Sequence, residues 1–411
     1  MTAYPSNARP RLPGAFWALV TSQFVYRIGG FVSPFLVPYL TRERQLTMTA
    51  AGAVAAAVGV GTIGSQLLGG WLSDRIGRRQ TMLAGFLGTA LGLAALGCAD
   101  TPPTIWAAAL GVGLVSDLFR PAGSATVADL LGPDDRIRAF GLLFCATNLG
   151  FSIAAASGGV LIRYGYGLLF SLNAAASVLA AVIIWRRVPD ARPSTPKTTG
   201  RALLPVLLRD RPMITMSLIM TAYSSLYLQV FSTLPLVMAG DGLGPATYGA
   251  VLAANGLVIV AAQPLAVRLL GGRDRSTVLG VSMLFVGLGL GLHVVVHTTA
   301  GYFVAMLVWT AGEIGLAVMF GATFADLAPA ELRGGYLGVA AATFGVGGVL
   351  GPLLGTALLD HIGPTALWTA CAATGVALFA AQHAVAPALR HRTTSDERSI
   401  RTDEPATSSL T

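Results

Sequence analysis

Apolar positions in this chain come in long unbroken blocks rather than in alternation. From residue 16 to residue 387, stretches of about twenty residues or more carry almost no Asp, Glu, Lys or Arg, and short polar clusters separate them. A helix needs about 20 apolar residues to cross a hydrocarbon core of roughly 30 Å, whereas membrane-barrel strands are about half as long and alternate. Backbone amides in lipid must be satisfied within their own segment, so blocks of this length form helices. The pattern predicts twelve spans, at 16–40, 50–73, 81–99, 104–131, 140–162, 166–185, 213–238, 246–269, 277–297, 302–327, 336–359 and 365–387. The expected fold class is an all-α membrane bundle.

Composition agrees. Of the 411 residues, 54% are hydrophobic and 11% charged, where a soluble domain carries about 25% charged residues. The net charge of +8 reads as topological bias rather than nucleic-acid binding, because the arginines are spread over many short loops. One set of loops holds only Arg42, Arg44 and Arg163, and Arg27 and Arg120 lie within spans; nearly all the other Lys and Arg fall on the side of the termini. The positive-inside rule therefore predicts a multi-pass inner (plasma) membrane protein with both termini in the cytoplasm. No apolar core followed by a small-residue cleavage site precedes Phe16, so no removable signal peptide is expected. Cys98, Cys145 and Cys371 fall inside predicted spans without metal-ligand or disulfide spacing, and read as packing residues.

A shift of 197 residues aligns unusual positions along the chain. Pro38 meets Pro235, Gln66 meets Gln263, Asp129 meets Asp326, Arg136 meets Arg333, and Gly141 meets Gly338. Pro, Gln, Asp and Arg in one register are hard to obtain by coincidence between Ala- and Gly-rich helices. The predicted organisation is a cytoplasmic N-terminus (1–15), an N-terminal six-helix half (16–185), a basic linker (186–212), a C-terminal six-helix half (213–387) and a disordered cytoplasmic tail (388–411). Two parallel repeats about an axis normal to the membrane imply a midplane site between rocking halves.

After the second span the chain runs Gly70-Trp71-Leu72-Ser73-Asp74-Arg75-Ile76-Gly77-Arg78-Arg79. An ordinary basic loop needs arginines but neither the acid nor the two glycines. The run resembles the cytoplasmic signature of the major facilitator superfamily, G-x-L-x-D-R-x-G-R-R/K, and the chain is similar to the superfamily's twelve-helix drug:proton antiporters. The resemblance implies two six-helix halves in the major facilitator fold and transport without a cofactor or metal. It also implies a conformational latch that joins the signature residues Gly70, Asp74, Arg75, Gly77 and Arg78 to Asp129, at the end of the fourth span, and Arg333, at the start of the eleventh. The second copy of the loop keeps Gly272-Arg273 but lacks the acid, as though two residues were deleted. The antiporter pattern of the fifth span lacks its Gly-Pro pair here. In the eleventh span the equivalent run survives as Gly347, Gly351, Pro352 and Gly355, a helix-packing motif of small residues. The arginine pattern of the fourth span is absent, its place being filled by Ala107.

Four ionisable residues sit near the middle of spans: Arg27 in the first, Asp117 and Arg120 in the fourth, and Glu313 in the tenth. A charge there costs about 2.5–3.5 kcal/mol on the insertion scale if it faces lipid, so each should face a partner or a wet cavity. The resemblance implies that the first, fourth, seventh and tenth spans line such a cavity. Gln23 shares a face with Arg27, and Asp117 can pair with Arg120 one turn away. Tyr223 and Tyr227 of the seventh span and Trp309 of the tenth join Gln23, Arg27 and Arg120 as cavity-lining candidates. Near Glu313 the sequence offers Trp309 and Thr310 but no cation, so Glu313 and Asp117 are the proton-coupling candidates. His293 receives no role.

With no phosphate loop, metal-ligand pair or nucleophile beside a histidine in the spans, an enzyme is not expected. The expected function is secondary active transport, a proton-coupled efflux of small drug-like or metabolite molecules. The expected partners are a small-molecule substrate, protons and the lipid bilayer, with no nucleic acid, and the protein acts as a monomer. The alternatives are a sugar or organic-anion facilitator or symporter, and a non-transporting membrane sensor on the same scaffold.

Overall fold

A computed structural model describes residues 12–190, 205–207, 209–328 and 333–402, and its regular elements are all helical. Among the described residues, eleven helices are long and apolar enough to cross a membrane by length and composition, from Met48–Ile76 through Pro364–Pro387. The remaining crossing is the first, which is divided into Gly14–Ile28 and Val32–Arg42. Exposed leucines such as Leu67 and Leu91, each 73% exposed, lie on the outside of the bundle. Such a surface is a liability in water and a requirement in lipid.

The breaks have local causes. A proline removes one helical N–H and its ring clashes with the carbonyl four residues earlier. Pro34 disturbs the carbonyl of Gly30 within the gap between the two pieces of the first span. Pro121 disturbs the carbonyl of Asp117, where the fourth span divides into Pro102–Ser116 and Phe119–Leu130. The seventh span is likewise interrupted, into Arg211–Tyr227, Gln229–Ser232 and Leu234–Gly240, with Pro235 at the start of the last piece. Irregular backbone at membrane depth is tolerated only where protein or a wet cavity covers it. At the first break Val32 N–H donates to Asn173 Oδ1 of the sixth span at 3.3 Å.

The 197-residue register is visible in the coordinates. The third span begins at Arg78 and the ninth at Arg275. Arg78 pairs with Asp129 and donates to the Ala125 carbonyl at 2.6 Å, while Arg275 pairs with Asp326 and donates to the Ala322 carbonyl at 3.4 Å. Each residue of the second set follows its counterpart by 197 positions, so the expected two-residue deletion does not displace this clamp. Instead Asp274 takes the place of Gly77 and caps the ninth span through Thr277 N–H at 2.9 Å.

The halves meet along two seams, the second span on the eleventh and the fifth on the eighth. At the ends away from the termini the seams are tight. Thr49 donates through N–H and Oγ1 to Asp360 Oδ2 at 3.1 and 2.7 Å, and Tyr248 Oη donates to the Pro34 carbonyl at 3.2 Å. A Cβ on Gly59 would sit 2.7 Å from the Gly348 carbonyl oxygen. The last helix runs from Pro364 to Thr402, so the tail expected to be disordered from residue 388 is helical as far as Thr402. Extending an existing helix costs far less than nucleating one, and Ala388, Leu389, Arg390 and Arg392 all favour it. Most of the predicted linker, 191–204 and 208, lies outside the described residues.

Candidate functional site

Between the halves lies a cavity of about 480 Å³, walled by the first to seventh spans and the eleventh. The helix breaks of the first, fourth and seventh spans border it through Gly30, Asp117 and Leu228. Its polar part includes Tyr26, Arg27, Gln66, Asp117, Arg120 and Asn173, and its aromatic part Phe151, Phe231 and Phe344. Every charged residue on the wall belongs to the first or fourth span.

Arg120 Nε donates to Asp117 Oδ1 at 2.8 Å, with the Asp117 side chain 15% exposed and that of Arg120 48%. The pair forms because the break at Asp117 leaves acid and base three residues apart across the start of a new helix. Ser65 of the second span fixes that break by accepting the Asp117 N–H at 3.1 Å. Arg27 shares the cavity, and among the described residues its guanidinium has no ion-pair partner.

Glu313 lies off the cavity, in a separate polar cluster of the C-terminal half. Tyr227 Oη donates to its Oε1 at 3.0 Å, and Asn255 Nδ2 donates to its Oε2 at 3.0 Å and to Thr310 Oγ1 at 2.9 Å. Among the described residues no cation stands within ion-pair distance of it. Tyr227 packs edge-on against Phe231, ring centroids 5.8 Å apart, and Phe231 faces the cavity. One tyrosine and one phenylalanine thus connect the acid to the cavity.

Four further cavity candidates do not line it. Gln23 sits below it against the fourth span, where a Cβ on Gly123 would lie 3.2 Å from its Nε2. Tyr223 is 1% exposed, stacked on Tyr227 at 6.3 Å behind Phe344. Tyr227 is turned toward Glu313. Trp309, also 1% exposed, packs on His293 in an aromatic group completed by Tyr302 and Trp368. These side chains are held by packing inside their own half, so helix number alone did not tell which face of each span meets the cavity.

The predicted latch residues divide. Asp129 is engaged by Arg78 within its own half, Arg75 lies over the Trp71 ring at 4.4 Å, and Asp74 is exposed. Gly77 turns the chain between the second and third spans at φ 95°, ψ 158°, a conformation essentially restricted to glycine, whereas nothing lies within 4 Å of a Cβ on Gly70. Arg333 begins the eleventh span, and its side chain lies outside the described residues.

The family model of the Major Facilitator Superfamily matches residues 19–313 and 230–411. The chain belongs to this superfamily. Within it, the chain is 28% identical over 308 residues to the multidrug resistance protein MdtH of Escherichia coli O9:H4 (strain HS), covering 72% of this chain and 74% of that one. The protein of the same name from Shigella sonnei (strain Ss046) matches to the same extent. Among solved structures, the peptide transporter POT in complex with alafosfalin superposes with a TM-score of 0.75 at 19% identity, covering 92% of this chain and 96% of that one. A POT family transporter in complex with 5-aminolevulinic acid gives 0.79 at 15% identity, covering 92% and 99%. At these identities the structures speak for the superfamily's fold. The protein is a multi-pass membrane transporter of that family.

The small residues of the eleventh span also separate by face. Gly347, Gly351 and Gly355, four apart, press on Ser224, Ser225 and Gln229 of the seventh span, while Pro352 faces the cavity. Ser224 Oγ donates to the Thr343 carbonyl at 2.9 Å, and Gln229 Nε2 to that of Gly351 at 2.8 Å. Sequence reasoning left Tyr26, Ser65, Gln66, Asn173 and Asn255 out of the candidate site. Pro34 and Pro121 were the available signals for the broken backbone that Ser65 and Asn173 satisfy.

Proposed function

We propose that the chain is a proton-coupled exporter of small molecules, working as a monomer by alternating access across the inner membrane with both termini in the cytoplasm. The observation that carries this reading is the division of labour between two sites: a carboxylate, Glu313, held by neutral donors off the cavity, and a charged trio, Arg27, Asp117 and Arg120, on it. Alternating access changes what an acid meets, water or apolar protein, and so changes whether it holds a proton. Tyr227 and Phe231 give the Glu313 cluster a path to respond to cavity occupancy. The similarity to proteins named for multidrug resistance supports export.

The six-helix halves, 16–185 and 213–387, rock about the two seams in this reading. In this reading the tight contacts away from the termini belong to a conformation that opens toward the cytoplasm. The motif residues Asp74, Asp129 and Arg333 then serve as a latch of the opposite, outward-open conformation, Asp129 exchanging Arg78 for a partner across the seam. A second reading, uptake of a polar metabolite with a proton, draws on Gln66, Thr62 and Asn173 along the cavity.

The test is purified protein in liposomes with an imposed pH gradient. Export predicts that aromatic test compounds move against the incoming proton flow, uptake predicts movement with it, and no compound-dependent proton movement overturns both.

A further inference from the structure

The charges on the cavity do not balance. Asp117 is satisfied by Arg120 at 2.8 Å, Glu313 stands off the wall, and Arg27 remains without an ion-pair partner among the described residues. The wall therefore carries two guanidinium groups against one carboxylate. A guanidinium presents donors in a fixed fork that fits carboxylate, sulfonate and phosphate groups, and charge-assisted bonds inside a cavity are stronger than neutral ones. The backbone supports the placement: a Cβ on Gly150 of the fifth span would lie 2.8 Å from Arg27 Cβ, so the fifth span is pressed against the base of this side chain. Around the charges the wall is apolar, with Phe151, Phe231 and Phe344 on it, and a volume of about 480 Å³ accommodates a drug-sized body.

We propose that this cavity selects amphipathic monoanions, a carboxylate or sulfonate on an aromatic or aliphatic body, with Arg27 meeting the anion and the three phenylalanines holding the body. The inference rests on the reading that substrate passes through this cavity and names the class of substrate that does. It is indifferent to the direction of transport. Lipophilic cations are disfavoured, because the one carboxylate on the wall is already neutralised.

The experiment uses the full chain in lipid nanodiscs and three probes with one naphthalene body and head groups that are anionic, neutral and cationic: 1-naphthaleneacetate, 1-naphthaleneacetamide and 1-naphthalenemethylamine. Equilibrium dialysis should give the acetate about tenfold tighter binding than the amide, with the amine weakest. Arg27→Gln should bring the acetate to the level of the amide and leave the amide within about twofold, while Arg27→Lys keeps part of the preference. An acetate-to-amide ratio below about threefold in the unsubstituted protein, preference for the amine, or a preference that survives Arg27→Gln each overturns the proposal. Should Arg27→Gln fail to fold, the unsubstituted ratio and Arg27→Lys decide it. Counterflow in liposomes separates this outcome from the transport reading. Anion binding without movement sinks transport and keeps the site, whereas movement of the amide or amine without anion preference keeps transport and sinks the site.

Discussion

Glu313→Gln is the substitution on which the coupling scheme turns. The side chain accepts from Tyr227 Oη and Asn255 Nδ2, both at 3.0 Å. Glutamine has the same shape. Its carbonyl can still accept from Asn255, and its amide can donate to the Tyr227 oxygen once that hydroxyl rotates, so both contacts survive and stability should change by less than about 1 kcal/mol. Glu313→Ala removes both acceptors. Asn255 keeps Thr310 at 2.9 Å, but the half-buried Tyr227 hydroxyl loses its acceptor, at a cost of about 1 kcal/mol or more. Thermal unfolding in detergent should therefore separate the two variants, while both lose coupling.

The size of that loss follows from the gradient. One pH unit is worth about 1.36 kcal/mol per proton, so one-for-one exchange sustains about a tenfold substrate gradient. Liposomes with the unsubstituted protein should approach that ratio under a one-unit gradient, and Glu313→Gln should fall to unity while downhill exchange continues. Asp117→Asn is the parallel variant, since it frees Arg120 and distinguishes a proton site on the cavity from one behind it. If both neutral variants hold the tenfold ratio, neither acid carries the proton and the scheme is wrong.

Gly77→Ala should lower thermal stability by about 1–3 kcal/mol because its φ of 95° excludes side chains, while Gly70→Ala, with open space around its Cβ, should be silent. Gly355→Ala would push a methyl into the Gln229 amide and should cost about 1–3 kcal/mol in a detergent melt; an unchanged melting temperature would dissolve the packing assignment of the eleventh span. Asp74→Asn should shift the resting population toward the inward-open state, read as longer spin-label distances between the cytoplasmic ends of the halves, and unchanged distances reduce the latch to surface charge. In a chain whose three cysteines are replaced, Thr198→Cys should resist membrane-impermeant thiol reagents in intact cells, and ready labelling would invert the topology.

The bundle was legible in the sequence because lipid imposes one strong constraint. A span must be about 20 residues long and apolar, and eleven of the predicted blocks meet that rule as helices here. The first block does not, since Pro34 and the glycines before it divide it, and a hydropathy pattern is blind to backbone continuity. The same blindness hid the break at Asp117, although Pro121 was in plain view. Cost in lipid alone set Arg27, Asp117, Arg120 and Glu313 against a partner or a wet cavity; the first three are on the cavity, and Glu313 has partners behind it. Uncharged candidates carry no such penalty. Tyr223 and Trp309 are as content inside a half as between halves, and the structure puts them inside.

The loop after the second span marks a different limit. Its signature groups Arg78 with Asp129 in one latch between the halves, whereas the structure pairs the two inside one half, with the same clamp repeated 197 residues later as Arg275 and Asp326. Two clamps, each within one half, tie the spans of each half together at the end where the termini lie, which is a precondition for rocking rather than bending. The clamp also competes with any latch, because Asp129 engaged by Arg78 is less available to a partner across the seam. The ion pair inside the N-terminal half and a transient one between halves would then draw on the same acid. Removing the clamp with Arg78→Gln should free Asp129 and stabilise the outward-open state, the opposite of Asp74→Asn. Spin-label distances across the cytoplasmic ends should shorten in one variant and lengthen in the other; a shift in the same direction from both would show that Asp129 is not shared.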